Sequence, residues 1–216
     1  MKVWWPTLAV ATNPVPFLTR PVAWPETPVE LYFDIETDPM RDYCYLHGFV
    51  IREGGVKGRE RFEGIFMTDL TPAAEQTAFE QAMVLFRRYP TAVVVHYSKY
   101  ERTEYRKLQK KYPTVASSEE IEGLFSPPRA LDLYSDVVRS GSEWPTSDFS
   151  IKSIAKFCEF KWRDVDPSGA SSIEWFDQWA KTGEPVFKRR LLEYNEDDCV
   201  AMRVVLDRMK GMDVRG

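Results

Sequence analysis

The sequence predicts an α/β protein in which a central mixed sheet, three antiparallel strands and then parallel ones, is flanked by helices. Three observations carry that prediction. Three strand-like runs come first, with a glycine turn between the second and third. A β-branched run then alternates with helical patterns. The chain closes on a long amphipathic stretch that reads as one helix.

Residues 1–28 hold prolines at 6, 14, 16, 21, 25 and 28. Proline fixes φ and removes a donor, so this stretch favours extended backbone and cannot form a helix. It is expected to be an arm or linker leading into a domain that spans 29–216. Trp4, Trp5, Phe17 and Trp24 suggest that the arm packs on something. The first strand is expected at 29–36, on Val29-Glu30-Leu31-Tyr32-Phe33-Asp34-Ile35-Glu36. Tyr45 to Ile51 and Arg59 to Phe66 read as the next two strands, with Glu53-Gly54-Gly55 as the turn signal. Thr71 is a good N-cap and Pro72 a good first residue for a helix running to about Tyr89, where Pro90 stops it. Ala92 to His96 reads as a central strand, and Tyr100 to Tyr112 as a helix rich in arginine and lysine. Ala130 to Tyr134 reads as a strand or strand end, with Asp132 better suited to capping before Ser135. Ser150 to Phe160 and Pro185 to Met209 read as helices. Trp175 and Trp179 have helical spacing and are more often packing residues than base-stacking ones.

The 216 residues are 44% hydrophobic and 14% aromatic, enough for a sizeable core in one domain. A net charge of −4 does not announce a nucleic-acid binder, although it permits a local basic groove. Cys44, Cys158 and Cys199 offer neither a disulfide framework nor a zinc spacing and fit a reducing compartment. A cytoplasmic location is therefore expected. No apolar run is long enough to span a membrane, and the apolar start is broken by Pro6, so secretion is not expected.

Three acidic segments carry the chemistry: Asp34-Ile35-Glu36, His96 to Glu101, and Tyr194 to Asp198. Alternation along a strand sends Asp34 and Glu36 out on one face. Two buried anions side by side repel, and a hard divalent cation such as Mg²⁺ or Mn²⁺ removes the problem. A strand end running into the turn at Thr37-Asp38-Pro39 is the plainer explanation of the same residues. On an ideal wheel of about 100° per residue, Asp198 falls within the apolar arc of the last helix, and Asp197 falls outside it, toward solvent. Tyr194 precedes Asp198 by four residues and lies on the same side. A buried salt bridge or cap would also account for Asp198.

Together the three segments resemble the signature of the DEDD 3′–5′ exonucleases of the ribonuclease-H-like (DnaQ-like) superfamily, in its tyrosine (DEDDy) branch. Asp34 and Glu36 match the first motif, Asp-x-Glu, and His96-Tyr97-Ser98-Lys99-Tyr100-Glu101 aligns with the second. Tyr194 and Asp198 match Tyr-x-x-x-Asp. The likeness extends from about Leu31 to Met209 and is greatest to the YprB-type domain found attached to predicted RecB-like nucleases. One departure is Glu101, where most of the superfamily has aspartate.

The resemblance implies a ribonuclease-H-like fold and two-metal hydrolysis of phosphodiester bonds. Asp34 would bridge two ions, Glu36 and Asp198 would complete the tighter site, and Glu101 would support the second. Tyr194 would orient the attacking water. Single-stranded DNA is the favoured substrate and RNA a possible one, because two-metal chemistry needs no 2′-hydroxyl. Arg102, Arg106, Lys152, Lys156, Lys161 and Arg163 are candidate phosphate contacts, with His96 as a further substrate contact. A RecB-like nuclease or helicase module is the expected protein partner. The competing reading is a non-catalytic module that binds nucleic acid or docks to a larger nuclease.

Overall fold

The computed structural model describes residues 15–55, 59–165 and 169–215. The chain runs β1 (Phe17–Leu18), β2 (Val29–Asp38), β3 (Tyr43–Glu53), β4 (Glu60–Phe66), α1 (Pro72–Arg88), β5 (Val93–His96), α2 (Tyr100–Lys111), α3 (Ser118–Leu124) and β6 (Ala130–Asp132). A π-helical turn (Leu133–Val138), α4 (Arg139–Gly141), β7 (Ser142–Glu143), α5 (Ile151–Phe157), α6 (Gly169–Thr182) and the long α7 (Pro185–Lys210) follow.

Five strands form the central sheet in the order β4-β3-β2-β5-β6. β2, β3 and β4 are antiparallel neighbours, and β5 and β6 join in parallel beyond β2. The expected mixed sheet is therefore present, with helices on both faces. Local chemistry sets several boundaries. Thr71 accepts from the Ala74 backbone N–H and Pro72 opens α1, as expected. β6 ends at Asp132 because that side chain accepts from Ser135 N at 3.0 Å and caps the π-helical turn. The helix expected to reach Phe160 stops at Phe157, and Glu159 adopts a left-handed φ of 64°. α3 and α6 are additions to the elements expected from the sequence.

β2 separates two cores. Leu31, Phe33 and Ile35 face α1, α2 and α3. Phe33 lies 4.9 Å from Phe49, 5.1 Å from Phe86 and 5.2 Å from Tyr105, ring centre to ring centre. Each such buried ring contributes about 1.5–3 kcal/mol. Tyr32 faces the other way, into a core built with α5, α6 and α7. Asp34 and Glu36 leave β2 on that second face, in step with Tyr32. The register pairs Asp34 with Gly48 and shifts just after Glu36, where the sheet pairing ends its regular run.

The described part of the proline-rich segment lies on this frame. β1 pairs with β7, and Trp24 packs against the second core. Trp4 and Trp5 lie outside the described residues. Among the described residues no helix is long and apolar enough to cross a membrane.

Candidate metal and nuclease centre

The end of β2 and the middle of α7 bring three carboxylates together. Among the described residues, one oxygen from each of Asp34, Glu36 and Asp198 lies within 4.8 Å of the others. Glu36 is buried, while Asp34 and Asp198 are partly open. Alternation on β2 supplies the first two, and the helix supplies the third from above. Tyr194, one turn before Asp198, is buried at the edge of Trp175.

Each group has a defined neighbour. Asn195 Nδ2 donates to Asp34 Oδ2 at 2.8 Å. Ser172 on α6 and Asn195 lie near Glu36 and pull its carboxyl down. Trp162 Nε1 donates to Asp198 Oδ1 at 2.7 Å. Lys152 Nζ donates to the Tyr194 hydroxyl at 2.8 Å and sits 4.9 Å from the ring centre. The negative charge of Asp198 also acts on the Tyr194 hydroxyl.

The electrostatics are those of a site short of positive charge. Burial, then the negative charges of Asp198, Glu36 and Glu101, hold the Asp34 carboxyl well above its usual range. Burial and Asp198 push Glu36 up to about 8. Burial raises Asp198 to about 6, against the pull of Lys152 and Trp162. Burial, then the same carboxylates, raise the Tyr194 hydroxyl and keep it protonated. Three carboxylates facing one lysine fit a divalent cation, since hard oxygen donors are what Mg²⁺ and Mn²⁺ prefer.

Glu101 stands apart from the three. It is buried in the first turn of α2, with Oε2 3.7 Å from His96 Nδ1 and without a hydrogen-bond partner. Burial raises its carboxyl, and His96 opposes that rise. Burial alone would lower His96, but Glu101 outweighs it and raises the ring. His96 is itself buried, donating from Nδ1 to Ser98 O at 2.7 Å and packing edge-on to Phe125. Ser98, at a left-handed φ of 83°, is braced by Asp132, which accepts from its backbone N–H at 2.9 Å. That braced turn leads the chain into α2 and Glu101.

The basic residues divide. Lys152 is in the site. Lys156 is exposed on α5, and Lys161 is exposed beyond it. Arg102 and Arg106 both grip Glu122 and so tie α2 to α3. Arg163 binds Asp197 through its backbone N at 2.7 Å and its Nε at 2.9 Å, and its guanidinium also reaches Glu196. Asp197 is therefore buried, 7% exposed, where the helix wheel placed it in solvent. The wheel failed because α7 is covered on more than one side. The sheet packs on its apolar arc, and residues 161–164 lie across the next.

Two neighbours of the acids carry no sequence expectation, Asn195 and Ser172. Trp162 is also a candidate for base stacking by its sequence, and Arg163 is expected to contact phosphate, but they hold Asp198 and Asp197 instead. Asn195 alone left a trace. It stands three residues before Asp198, so the two share a side of the helix.

A family model described as the RNase H superfamily matches residues 31–210. No curated protein and no solved structure matches the chain.

Proposed function

This chain belongs to the RNase H superfamily, and we propose that it is a metal-dependent 3′–5′ exonuclease of the tyrosine-type DEDD branch, acting preferentially on single-stranded DNA. The observation that carries this reading is the meeting of Asp34, Glu36 and Asp198 within 4.8 Å, with Tyr194 one helical turn from Asp198. The catalytic domain is read as 29–216, with 1–28 as an arm.

Asp34, Glu36 and Asp198 would hold Mg²⁺ or Mn²⁺, with Glu101 supporting a second ion from the start of α2. When bound, such ions neutralise the carboxylates, lower the pKa of a water and stabilise the leaving oxygen. The chain's own groups do the rest. Tyr194, kept protonated by its burial and by the acids around it, presents a hydroxyl that orients an attacking water. Lys152 fixes that hydroxyl and places a positive charge where a scissile phosphate would enter. Lys156, exposed on the same helix, suits the next phosphate along the strand. Arg102 is committed to Glu122 and His96 is buried, so neither is assigned a substrate contact. At the start of α5, a depression of about 530 Å³ lined by Tyr97, Tyr134, Phe149 and Ile151 suits a terminal base. The likeness of Tyr194 to Cys199 to YprB-type domains supports a RecB-like module as partner class.

Digestion of strands labelled at either end tests this. With Mn²⁺ or Mg²⁺, 5′-labelled single-stranded DNA is expected to give a ladder of shortening products, and a chelator is expected to stop it. Release of mononucleotide from the 5′ end, or cleavage that persists in chelator, overturns the assignment. A ladder from RNA alone reassigns the polymer.

A further inference from the structure

The amide of Asn195 occupies a slot that the sheet leaves open for it. Asn195 is fully buried on α7. Its nitrogen donates to Asp34 Oδ2 at 2.8 Å and lies close enough to Glu36 to lower that carboxyl. Its oxygen is buried without a partner. That oxygen lies against Gly48, the residue paired with Asp34 across β2 and β3. A Cβ at Gly48 would fall 1.5 Å from Asn195 Oδ1 and 2.6 Å from its Cγ. Any side chain at position 48 would share the face that carries Asp34, so only glycine leaves room. Reversing the amide would point a carbonyl at a carboxylate, which repels it. The orphaned oxygen is thus the consequence of turning the amide nitrogen toward the acids.

We propose that Asn195 is the positioning residue of the carboxylate cluster, seated by Gly48 so that its amide nitrogen braces Asp34 for a divalent cation. The proposal rests on reading the cluster as a cation site. A donor bonded to one carboxylate and close to the next offsets part of their repulsion before a cation arrives. Groups that orient metal-bound carboxylates in this way commonly set metal affinity without touching the ion. Gly48 and Asn195, on different elements, then act as one device.

Four proteins test it: the wild type, Asn195→Ala, Gly48→Ala and the double variant. Mn²⁺ affinity is measured by titration calorimetry without nucleic acid, and melting is followed in chelator. Asn195→Ala is expected to weaken Mn²⁺ binding about 10- to 100-fold while remaining folded. Gly48→Ala displaces the amide, so it should weaken binding to a similar degree and lower the melting temperature. The double variant should regain that melting temperature, because the clash is gone, but not the affinity. A packing role alone would move melting and leave affinity unchanged. Wild-type affinity in folded Asn195→Ala overturns the inference, as does a double variant that melts below Gly48→Ala. A wild type that binds no Mn²⁺ overturns the cation reading as well, which separates the two failures.

Discussion

Glu30 and the pair Asp34–Glu36 leave β2 on the same face, toward α7, a few residues apart. Glu30 is surrounded by positive charge. Arg52 on β3 reaches it through Nε at 2.5 Å, Lys210 at 3.0 Å and the Tyr32 hydroxyl at 2.8 Å. Burial alone would raise its carboxyl, but Lys210, Tyr32 and Arg52 outweigh that and hold it below the usual range. At the other end of the same face the donors are neutral, Asn195 and Trp162, with Lys152 as the cation that lowers Glu36 and Asp198. There the carboxyls are raised instead. One end is a closed ion-pair network, and the other is anionic and unfinished by the protein alone. That difference is the physical case for a bound cation at Asp34 and Glu36 and against one at Glu30.

The largest expected effect sets the two ends against each other. Asp34→Ala should abolish hydrolysis and Mn²⁺ binding, while melting in chelator holds or rises because a repelling charge is gone. Glu30→Gln should retain hydrolysis within a few-fold but lose about 2–3 kcal/mol of stability, since charged hydrogen bonds to Arg52 and Lys210 are broken. Activity assays and denaturant unfolding check both. A dead but stable Glu30→Gln would collapse the distinction.

Next comes a comparison of adjacent acids on α7. Asp198→Asn should lose Mn²⁺ binding and hydrolysis. Asp197→Asn should keep both within a few-fold, while melting at a lower temperature because the Arg163 contact is weakened. Calorimetry and end-labelled digestion of each variant decide it. If Asp197→Asn is the variant that loses the cation, the third carboxylate has been misassigned.

The smallest effect is a slope. In chelator, the folded chain holds protons on Glu36, raised to about 8, and on Asp198, raised to about 6, that an unfolded chain has released. Stability from these groups is present in acid and is lost as pH rises, from about pH 5 to about pH 8. Glu30 contributes in the opposite sense, losing its stabilisation only as pH falls toward its depressed value. Melting temperatures measured across that range should therefore fall in chelator, and saturating Mn²⁺ should flatten the decline. A rise with pH in the absence of metal would contradict the description of the site.

Much of this arrangement is legible in the chain because it depends on local periodicity. Alternation on β2 puts Tyr32, Asp34 and Glu36 on one face, and Thr71 with Pro72 announces α1. The spacing of Tyr194 and Asp198 puts them on one side of a helix. What was not legible depends on coverage from distant segments. Asp197 lies under residues 161–164, whose position no helix wheel contains. Glu101 faces His96 rather than the three clustered acids, an orientation set by the braced turn at Ser98. Asn195 needed Gly48, which is 147 positions away, and a single glycine inside a strand gives little notice of what will fill it.

The hydrogen bond from the Trp162 indole to Asp198 has an optical consequence. An indole whose N–H is held by a carboxylate emits according to the charge and rigidity of that partner. Any ion taken up by Asp198 therefore alters the field at one fluorophore directly. The chain has 7 tryptophans, so the signal sits on a background, and the Trp162→Phe difference spectrum isolates it. The molecule carries its own gauge of site occupancy, readable without label, substrate or turnover.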